Sequence, residues 1–339
     1  MTSDKARVLL VGCGGIGTIA ALNLEAGGLA RVSAVLRSNF DVVKRNGFTM
    51  KSCEHGDKEG WRPTEVAVPL VLKSVPASTN SGSDSVFDYV VCCTKNVPDA
   101  GPSLPDIIAP AVVPGRTVIV LIQNGINIQL PFFSRFPTTI VLSGVSRIDA
   151  HEHLPGVVEQ KQPDLLHIGA FRNPNIDLEE QQHAARRFIE MYSAGGQTTC
   201  LYKPDVDSDR WIKLVYNASF NPICALTRVN ASQLRTADAS MNSLVVPAMK
   251  EVIAVAAATG HNIPSSAMTQ AIEMNPIDEN IEPSMQVDFD KGNLIEHENI
   301  LGEICREAHK RSVATPILNV LYELCRAHQW GIKRDRGLA

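Results

Sequence analysis

The sequence shows no excess of basic residues. Its 339 residues include 32 lysines and arginines against 36 aspartates and glutamates, which gives a formal net charge of −4. Proteins that bind nucleic acid through its phosphates normally carry a basic patch or stripe. We therefore expect no nucleic-acid partner.

Long apolar runs are also lacking. No uninterrupted run of 18 apolar residues occurs, and the N-terminal residues are polar up to the first predicted strand. These features predict neither a transmembrane span nor a signal peptide, and hence no membrane partner. The hydrophobic share of 44% is ordinary for a globular protein, and the length suffices for two domains.

Cysteines at a metal-binding spacing are missing as well. The eight cysteines are Cys13, Cys53, Cys92, Cys93, Cys200, Cys224, Cys305 and Cys325. They form no C-x-x-C motif, and most of them lie within apolar runs. We interpret them as reduced, buried small residues of a cytoplasmic protein. The pattern predicts no disulfide framework and no metal site.

What the sequence does contain is a glycine-rich loop directly after a short apolar strand. Residues 7–11 form the predicted strand, and residues 18–26 form a predicted helix that ends at two glycines. Between them lie Gly12, Cys13, Gly14, Gly15, Ile16 and Gly17, the G-x-G-x-x-G pattern in the strand–turn–helix context of dinucleotide-binding domains.

Each glycine of this pattern has a distinct task. Gly12 allows a tight turn, Gly14 lets the backbone approach a pyrophosphate, and Gly17 lets the helix pack closely on the strand. The helix N-terminus offers free N–H groups to that phosphate. We assign cofactor binding to Gly12, Gly14, Gly15, Ile16 and Gly17; the alternative is a glycine-rich turn without a ligand.

The second predicted strand indicates which dinucleotide binds. It covers residues 31–36 and is followed by Arg37, 20 residues after Gly17. Sites for NAD usually have an acidic residue there, which accepts a hydrogen bond from the ribose 2′-OH. A guanidinium instead suits a 2′-phosphate, so we predict NADPH. The alternative is that Arg37 is a solvated loop cation.

Two further predicted strands end in polar residues. Residues 87–93 are followed by Thr94 and Lys95, and residues 116–122 are followed by Gln123 and Asn124. The carboxyl ends of parallel strands are the edge of the sheet at which ligands bind. We therefore place Lys95 and Asn124 in the site, although Lys95 alone could be a surface lysine.

The remaining segments before residue 203 continue the alternation of strands and helices. Helices are predicted over 40–46 and 179–194, and a loop is predicted over 77–85. Strands are predicted over 48–51, 65–75, 139–146 and within 157–171. The last two strand regions are less regular, and their pairing could be antiparallel.

The pattern changes near residue 203. From Asp209 to Gln329 nearly every segment has helical character, interrupted around Gly260–Pro264, Pro276–Pro283 and Pro316. We predict an α/β fold in which residues 1–202 form an N-terminal Rossmann-type dinucleotide-binding domain. Residues 203–339 then form an all-helical C-terminal domain with substrate-binding and catalytic groups.

The helical part opens with a stripe of polar residues. Lys213, Asn217 and Asn221 follow one another at intervals of four, which places them on one face of an otherwise apolar helix. One amine and two neutral amides suit a small polar ligand, whereas a solvent-exposed face would normally also carry carboxylates. The alternative is an exposed stripe that happens to lack them.

Two more polar residues are candidates. Ser284 begins the segment Pro283–Asp288, and Glu296 lies among apolar residues 12 positions later. The alternatives are that Ser284 caps a helix and that Glu296 is an exposed helix carboxylate.

From Val8 to about Ala327 the chain resembles the ketopantoate reductase family (2-dehydropantoate 2-reductases). The resemblance rests on the glycine loop and, in order, on Cys93-Thr94-Lys95, Gln123-Asn124-Gly125, Lys213 with Asn217 and Asn221-Pro222, and Pro283-Ser284-Met285 with Glu296. It implies a Rossmann domain followed by a helical domain, and NADPH-dependent reduction of the C2 ketone of a 2-keto acid.

The resemblance also implies residue roles. Lys213 would be the general acid and Glu296 would orient it, while Asn217, Asn221 and Ser284 would hold the substrate. Arg37 would contact the 2′-phosphate, Asn124 the cofactor ribose, and Lys95 the wall of the site. A lysine in a partly dry cleft has its pKa lowered by desolvation, and a facing carboxylate keeps it protonated.

One departure from the family pattern concerns the substrate. Where the family usually has Asn-Gly, this chain has Ala231-Ser232, and Asn230 reaches that register only with a one-residue deletion; Asp288, by contrast, falls where the family's acidic residue is expected. Residues 53–87 also have extra length without a clear counterpart. The change removes a substrate-side amide and leaves the identity of the 2-keto acid open.

The leading hypothesis is therefore NADPH-dependent reduction of 2-dehydropantoate (ketopantoate) to pantoate. A reductase of another branched 2-keto acid and a non-catalytic NADPH-binding sensor are the alternatives. The sequence leaves the oligomeric state open, with a homodimer as one option.

Overall fold

The computed structural model describes residues 5–67, 86–274 and 276–338 and divides the chain into two compact units. The first comprises Met1–Thr94, Pro102–Gln123 and Ile128–Val206, and the second comprises Lys95–Gly101, Asn124–Asn127 and Asp207–Ala339. Two short segments that lie early in the chain, and that include Lys95 and Asn124, thus belong to the second unit.

The first unit contains twelve described strands. In chain order they are β1 (Ala6–Val11), β2 (Ala30–Val35), β3 (Phe48–Ser52), β4 (Gly56–Trp61), β5 (Glu65–Ala67), β6 (Tyr89–Cys92), β7 (Val118–Leu121), β8 (Val141–Ser146), β9 (Ala150–Leu154), β10 (Val157–Gln160), β11 (Leu165–Ala170) and β12 (Thr199–Tyr202). Its described helices are α1 (Gly15–Ala26), α2 (Phe40–Asn46), α3 (Leu104–Ile108), α4 (Leu130–Arg135) and α5 (Leu178–Ser193).

Eight of these strands form a mixed sheet in the order β12-β11-β8-β7-β6-β1-β2-β5. The pairs from β5 to β8 are parallel, and β11 runs antiparallel to β8. The central strands are buried along nearly their whole length because helices cover parallel sheets on both faces. This is the Rossmann-type architecture that the sequence predicts.

A second sheet has the order β4-β3-β10-β9. Its strands β3 and β10 are parallel, while β4 and β9 pair antiparallel at its two edges. Strands β4, β9 and β12 were not predicted from the sequence. Strand β4 has no buried residue and therefore lacks the apolar alternation by which strands are recognised.

Several boundaries agree closely with the predictions. Helix α2 covers the predicted residues 40–46, and α5 begins and ends one residue before the predicted 179–194. The strand predicted over 65–75 is present over Glu65–Ala67, and its remaining residues, like the loop predicted over 77–85, lie outside the described residues. The antiparallel pairing left open for the later strands is found for β8 with β11.

The second unit is built from helices. They are α6 (Val206–Asn217, which starts at the last residue of the first unit), α7 (Phe220–Thr227), α8 (Ala231–Thr236), α9 (Asp238–Ser240), α10 (Val246–Ala258), α11 (Ala267–Glu273), α12 (Ser284–Asp290), α13 (Glu303–Lys310) and α14 (Pro316–Asp335). π-helical turns over Met241–Val245 and Glu298–Gly302 precede α10 and α13. The helical character predicted for this part of the chain is confirmed.

One helical stretch of this unit, Asp238–Ala258, has 21 residues and a mean hydropathy of 1.4, so it is long and apolar enough to cross a membrane. Its residues Val245, Ala248, Met249 and Val252 are fully buried in the core of the unit. Packing inside the protein therefore accounts for the apolar residues on its buried face. The stretch contains no uninterrupted apolar run of 18 residues because polar residues such as Lys250 interrupt it.

All eight cysteines are free, and five of them are buried. Cys93 and Cys305 are half-buried, and Cys53 is exposed. The interpretation of the cysteines as uniformly buried is therefore wrong for Cys53, which directly follows β3 in the turn to β4.

Candidate active site

The glycine loop of the first unit connects β1 to α1, and two of its glycines face each other. Gly12 has a φ of +97°, and a Cβ atom there would lie 2.7 Å from the backbone nitrogen of Thr94. A Cβ atom on Gly17 would overlap the carbonyl oxygen of Gly12. A side chain at Gly17 would push the helix away from the strand, and one at Gly12 would collide with Thr94 at a backbone φ that favours glycine, so both positions require glycine.

The opposite side of the loop is open. Gly14 is the N-cap of α1, and a Cβ atom built on it would meet no atom within 4 Å. No side chain caps this helix, and its first turn has no acidic residue. Its N-terminal N–H groups can therefore receive an anion that comes close to the backbone. These features fit the pyrophosphate of a nicotinamide dinucleotide.

The far side of the loop is held by residues that the sequence analysis missed. The carbonyl of Cys13 accepts a hydrogen bond from Asn39 Nδ2 at 2.8 Å, and the same amide nitrogen donates to Glu152 Oε1 at 2.8 Å. Asn39 is 5% exposed, and Gly15 packs on the backbone of Ala150. Burial, with Glu152 nearby, raises the pKa of the Cys13 thiol, so this cysteine is a neutral packing residue.

Arg37 lies where the sequence predicts it, just past the carboxyl end of β2. Val35, the last residue of β2, pairs in register with Val11, the last residue of β1. Arg37 and the loop that starts at Gly12 therefore leave neighbouring strands at the same edge of the sheet. The Arg37 side chain is exposed, so its guanidinium is available to an anion bound there.

In the second unit, Asn124 joins Lys213 to Glu296. Its side-chain oxygen accepts a hydrogen bond from Lys213 Nζ at 2.8 Å, and its Nδ2 donates to Glu296 Oε2 at 3.3 Å. The same oxygen accepts a longer bond of 3.4 Å from Asn217 Nδ2. Glu296 is 5% exposed, which rules out the alternative of an exposed helix carboxylate. The carboxylate thus reaches the lysine through an amide.

Lys95 is the second cation of this group. Its Nζ lies 2.6 Å from Asp288 Oδ2 and 3.9 Å from Glu296 Oε2. Burial alone would lower the pKa of Lys95, but the carboxylates of Glu296 and Asp288 outweigh it and raise that pKa. The lysine is therefore held protonated, with about half of its side chain exposed.

A backbone group completes the surroundings of Glu296. The N–H of Asn96 donates to Glu296 Oε1 at 2.8 Å, and the Asn96 side chain donates to Asn299 Oδ1 at 3.0 Å. Neither asparagine was identified from the sequence. Asn96 directly follows Lys95, so its position at the end of a predicted strand was the available signal; Asn299 offered none.

The polar stripe differs from its prediction in one respect. Lys213 and Asn217 lie on α6, but that helix ends at Asn217, and Asn221 lies on the separate helix α7. The chain breaks because Pro222, in the first turn of α7, cannot donate a backbone hydrogen bond. Asn221 is 2% exposed, and its side-chain oxygen has no hydrogen-bond partner among the described residues.

Ser284 is the first residue of α12. The N-cap is Pro283, and no side chain caps this helix, so the capping alternative for Ser284 is not realised. On the same helix, one turn later, is Asp288, which binds Lys95. Ser284 and Asp288 therefore share a helical face.

The segment that departs from the family pattern has an internal role. Asn230 caps α8 in a capping box with Gln233. The hydroxyl of Ser232 donates to the carbonyl oxygens of Pro276 at 3.1 Å and of Glu279. These side chains hold the loop that precedes α12, and the Asn230 carboxamide is committed to this structure.

The two units thus hold different parts of the predicted site. The first holds the glycine loop and Arg37, and the second brings together Lys213, Asn124, Asn217, Glu296 and Lys95. Among the residues that the structure describes, no group of three or more His, Cys, Asp and Glu side chains could hold a metal ion.

Comparison with known proteins identifies the family. The models described as Ketopantoate reductase PanE/ApbA and Ketopantoate reductase PanE/ApbA C terminal match residues 8–173 and 205–329. An uncharacterized protein of Saccharomyces cerevisiae is 35% identical to this chain, and the match covers 98% of this chain and 96% of that protein.

Solved structures agree with this match. The crystal structure of 2-dehydropantoate 2-reductase from Methylococcus capsulatus is 26% identical, with a TM-score of 0.78 over 96% of this chain and 97% of that one. A D-mandelate dehydrogenase solved with NADH and anilino(oxo)acetate shares the fold at 18% identity, with a TM-score of 0.80 over 96% and 99% of the two chains. This chain therefore belongs to the ketopantoate reductase family, a family of oxidoreductases.

Proposed function

We propose that this protein catalyses the NADPH-dependent reduction of 2-dehydropantoate (ketopantoate) to pantoate. The observation that carries the proposal is the hydrogen-bonded series from Lys213 through Asn124 to the buried Glu296. It supplies an oriented ammonium in a chain whose family reduces a 2-keto acid. Family membership supports the reaction class, and these contacts support the residue roles.

Lys213 is the general acid in this proposal. Reduction of the C2 ketone places negative charge on its oxygen, and an ammonium aimed at that oxygen stabilises the transition state more than the ground state. Lys213 then gives a proton to the nascent alkoxide. NADPH, when bound, supplies the hydride.

Glu296 and Asn124 orient the lysine. The amide accepts from the ammonium on one side and donates to the carboxylate on the other, so the lysine is held by a neutral acceptor. A direct ion pair would tie the proton more tightly to the enzyme. An amide between the two charges keeps the ammonium in place and leaves its proton available for transfer.

The substrate would be held by neutral polar groups. We assign Asn217, Asn221 and Ser284 to its hydroxyl and carboxylate. The unpartnered side-chain oxygen of Asn221 supports this because a buried polar atom without a partner is costly, and a ligand hydroxyl would satisfy it. Lys95, held protonated by Asp288 and Glu296, is assigned to the cofactor side of the site.

NADPH is the proposed cofactor because of Arg37. Its exposed guanidinium leaves the sheet beside the glycine loop, where an acidic residue would otherwise select NADH. The glycine loop would hold the pyrophosphate. The neighbouring D-mandelate dehydrogenase was solved with NADH, so the fold itself is compatible with either dinucleotide and the selection rests on the residue at this position.

A reductase of another branched 2-keto acid is the second candidate. It is favoured by Ala231-Ser232, since Asn230 is used as a helix cap and Ser232 fixes a loop. A non-catalytic NADPH-binding sensor has less support, because binding alone requires no lysine linked to a buried carboxylate.

For assembly and location we propose a cytoplasmic homodimer. Eight free cysteines support a reducing compartment. Exposed apolar side chains on α14, namely Val320, Leu324 and Trp330, support a surface that a second copy could cover. Size-exclusion chromatography with light scattering measures the mass, and a monomer at all concentrations would contradict the dimer.

The test of the proposed reaction is loss of NADPH absorbance by the purified protein with ketopantoate and a panel of other 2-keto acids. The proposal expects a higher kcat/KM for ketopantoate than for any other member. A preference for another keto acid would support the second candidate. Tight NADPH binding without turnover of any keto acid would contradict both and favour the sensor.

A further inference from the structure

Asn299 is a buried side chain that touches both loops from which candidate site residues project. Its Oδ1 accepts from Asn96 Nδ2 at 3.0 Å, and its Nδ2 donates to the Ile126 carbonyl at 3.1 Å. Its own carbonyl accepts from the Ile126 N–H at 3.1 Å. The residue is 8% exposed and lies in the π-helical turn Glu298–Gly302, three positions after Glu296.

A carboxamide suits this position because it offers a donor and an acceptor at its two ends. Turning the amide over would set the Asn299 nitrogen against the amide nitrogen of Asn96 and its oxygen against the carbonyl of Ile126. The orientation is thus fixed by its partners. One side chain thereby sets the distance between two loops that follow different strands.

The second loop is held at Gly125 by contacts with two residues of the second unit. This glycine has a φ of +97°, and a Cβ atom there would overlap the backbone of Asn299. Arg210 Nη1 also donates to the Gly125 carbonyl at 2.9 Å. Gly125 is therefore held by contacts with both Asn299 and Arg210, and this restricts the direction in which the neighbouring Asn124 side chain points.

Both loops act on Glu296 and, through it, on Lys213. Asn96 gives its backbone N–H to Glu296 Oε1, and Asn124 gives its amide N–H to Glu296 Oε2. The Asn124 oxygen then receives the ammonium of Lys213. A shift of either loop would displace one of the two groups that donate hydrogen bonds to the Glu296 carboxylate. The position of the Lys213 ammonium would then change as well.

We propose that Asn299 is a positioning residue for the reduction, which sets the Asn96 and Asn124 loops so that Glu296 and Asn124 orient Lys213. This inference rests on the proposed function. In the proposed function the glycine loop and Arg37 hold the phosphates of the dinucleotide, so loss of Asn299 should act mainly on the chemical step and affect dinucleotide binding only through the ribose contact assigned to Asn124.

The test compares Asn299→Leu with Leu301→Ala. Leucine has the same number and branching of side-chain heavy atoms as asparagine but can neither donate nor accept, while Leu301 is fully buried in the core of the same turn and contributes only packing. We expect Asn299→Leu to lower kcat about 10- to 100-fold with KM for NADPH changed less than about 3-fold. The primary deuterium isotope effect on kcat with 4-deuterated NADPH should rise. Leu301→Ala should lower the melting temperature and leave kcat and the isotope effect near wild type.

A second variant tests the same role if Asn299→Leu folds poorly. Asn96→Ala removes the hydrogen-bond partner of the Asn299 side chain. It should lower kcat about 5-fold, the factor that corresponds to the free energy of one hydrogen bond. Because the two side chains share that bond, the double variant should be no slower than Asn299→Leu alone.

Each outcome decides the matter. Asn299→Leu with wild-type kcat, effects of Asn96→Ala and Asn299→Leu that multiply, or a loss confined to KM for NADPH would each overturn the positioning role while the proposed function stands. A wild type that reduces no 2-keto acid would overturn the proposed function and this inference together.

Discussion

Asn124 binds Lys213 and Glu296 with opposite ends of one carboxamide, at 2.8 Å and 3.3 Å. Because the oxygen faces the ammonium and the nitrogen faces the carboxylate, the amide transmits the position of the buried acid to the lysine. The family resemblance implies that Asn124 contacts the cofactor ribose, and its contacts in the structure give it a further task in the second unit.

Replacing Asn124 by alanine should lower kcat about 10- to 100-fold, because Lys213 loses its acceptor and Glu296 loses a donor. The matched control is Asn127→Gly, three residues later, where the side chain binds Glu303 and Glu307 and the backbone φ is +58°. Glycine tolerates that backbone, so the control should keep kcat within about 2-fold. Equal losses in the two variants would show that the loop, and not the Asn124 amide, matters.

Arg37→Ala should discriminate between the two dinucleotides. Loss of a charge-assisted contact to the 2′-phosphate should weaken NADPH binding about 10- to 100-fold and change NADH binding less than about 3-fold. Arg45→Ala, a change of another exposed arginine on α2, serves as the control. Binding can be followed by the fluorescence of the reduced nicotinamide. If the affinity for NADH fell as much as the affinity for NADPH, Arg37 would not be the residue that recognises the 2′-phosphate.

Asp164 should make the stability of the protein depend on pH. It is 2% exposed, and its Oδ2 accepts from Asn23 Nδ2 at 3.1 Å and from the Tyr192 hydroxyl at 2.6 Å. Burial raises its pKa from 3.8 to about 6, although the hydrogen bond from Tyr192 opposes this. Asn23 belongs to α1, so the cluster anchors the helix that follows the glycine loop.

A carboxyl group with a raised pKa in the folded state favours folding while it is protonated. The folded protein binds more protons than the unfolded chain between pH 3.8 and about 6, so this contribution is lost as pH rises through that range. The difference corresponds to about 3 kcal/mol. Asp164→Asn, which keeps an acceptor for Tyr192, should remove this pH dependence.

The measurement is the free energy of unfolding in urea at pH 4 and at pH 7 for both proteins. The stability of Asp164→Asn relative to wild type should increase by about 2 kcal/mol between the two pH values, since part of the full difference is gained only below pH 4. A relative stability that does not change with pH would show that Asp164 titrates normally.

Local patterns predicted much of the fold. The β1–loop–α1 unit, the ends of α2 and the helical second unit follow from apolar periodicity, glycines and prolines within single segments. Strand β4 was not predicted because it lies at a sheet edge and has no buried residue. Its pairing with β3 depends on tertiary structure. The break before Asn221, by contrast, has a local cause in Pro222, which the four-residue spacing of the polar stripe did not take into account.

The candidate site was predictable as a set of residues and not as a network. Spacing placed Lys213 and Asn217 on one helix, and strand ends marked Lys95 and Asn124. The partners of these residues come from positions up to about 200 residues away, as with Asn96 and Glu296. No periodicity within a segment encodes such a pair, which is why Asn96 and Asn299 were missed. The roles of the predicted residues stay predictions until they are tested.

Single-turnover oxidation of bound NADPH by ketopantoate, in wild type and in Lys213→Ala, tests whether Lys213 is the general acid. NADPH binding is measured on the same samples by fluorescence. We expect Lys213→Ala to bind NADPH as wild type does and to react about 10²- to 10⁴-fold more slowly, since it lacks the general acid. Turnover by Lys213→Ala at the wild-type rate would contradict the assignment of Lys213 and the mechanism built on it.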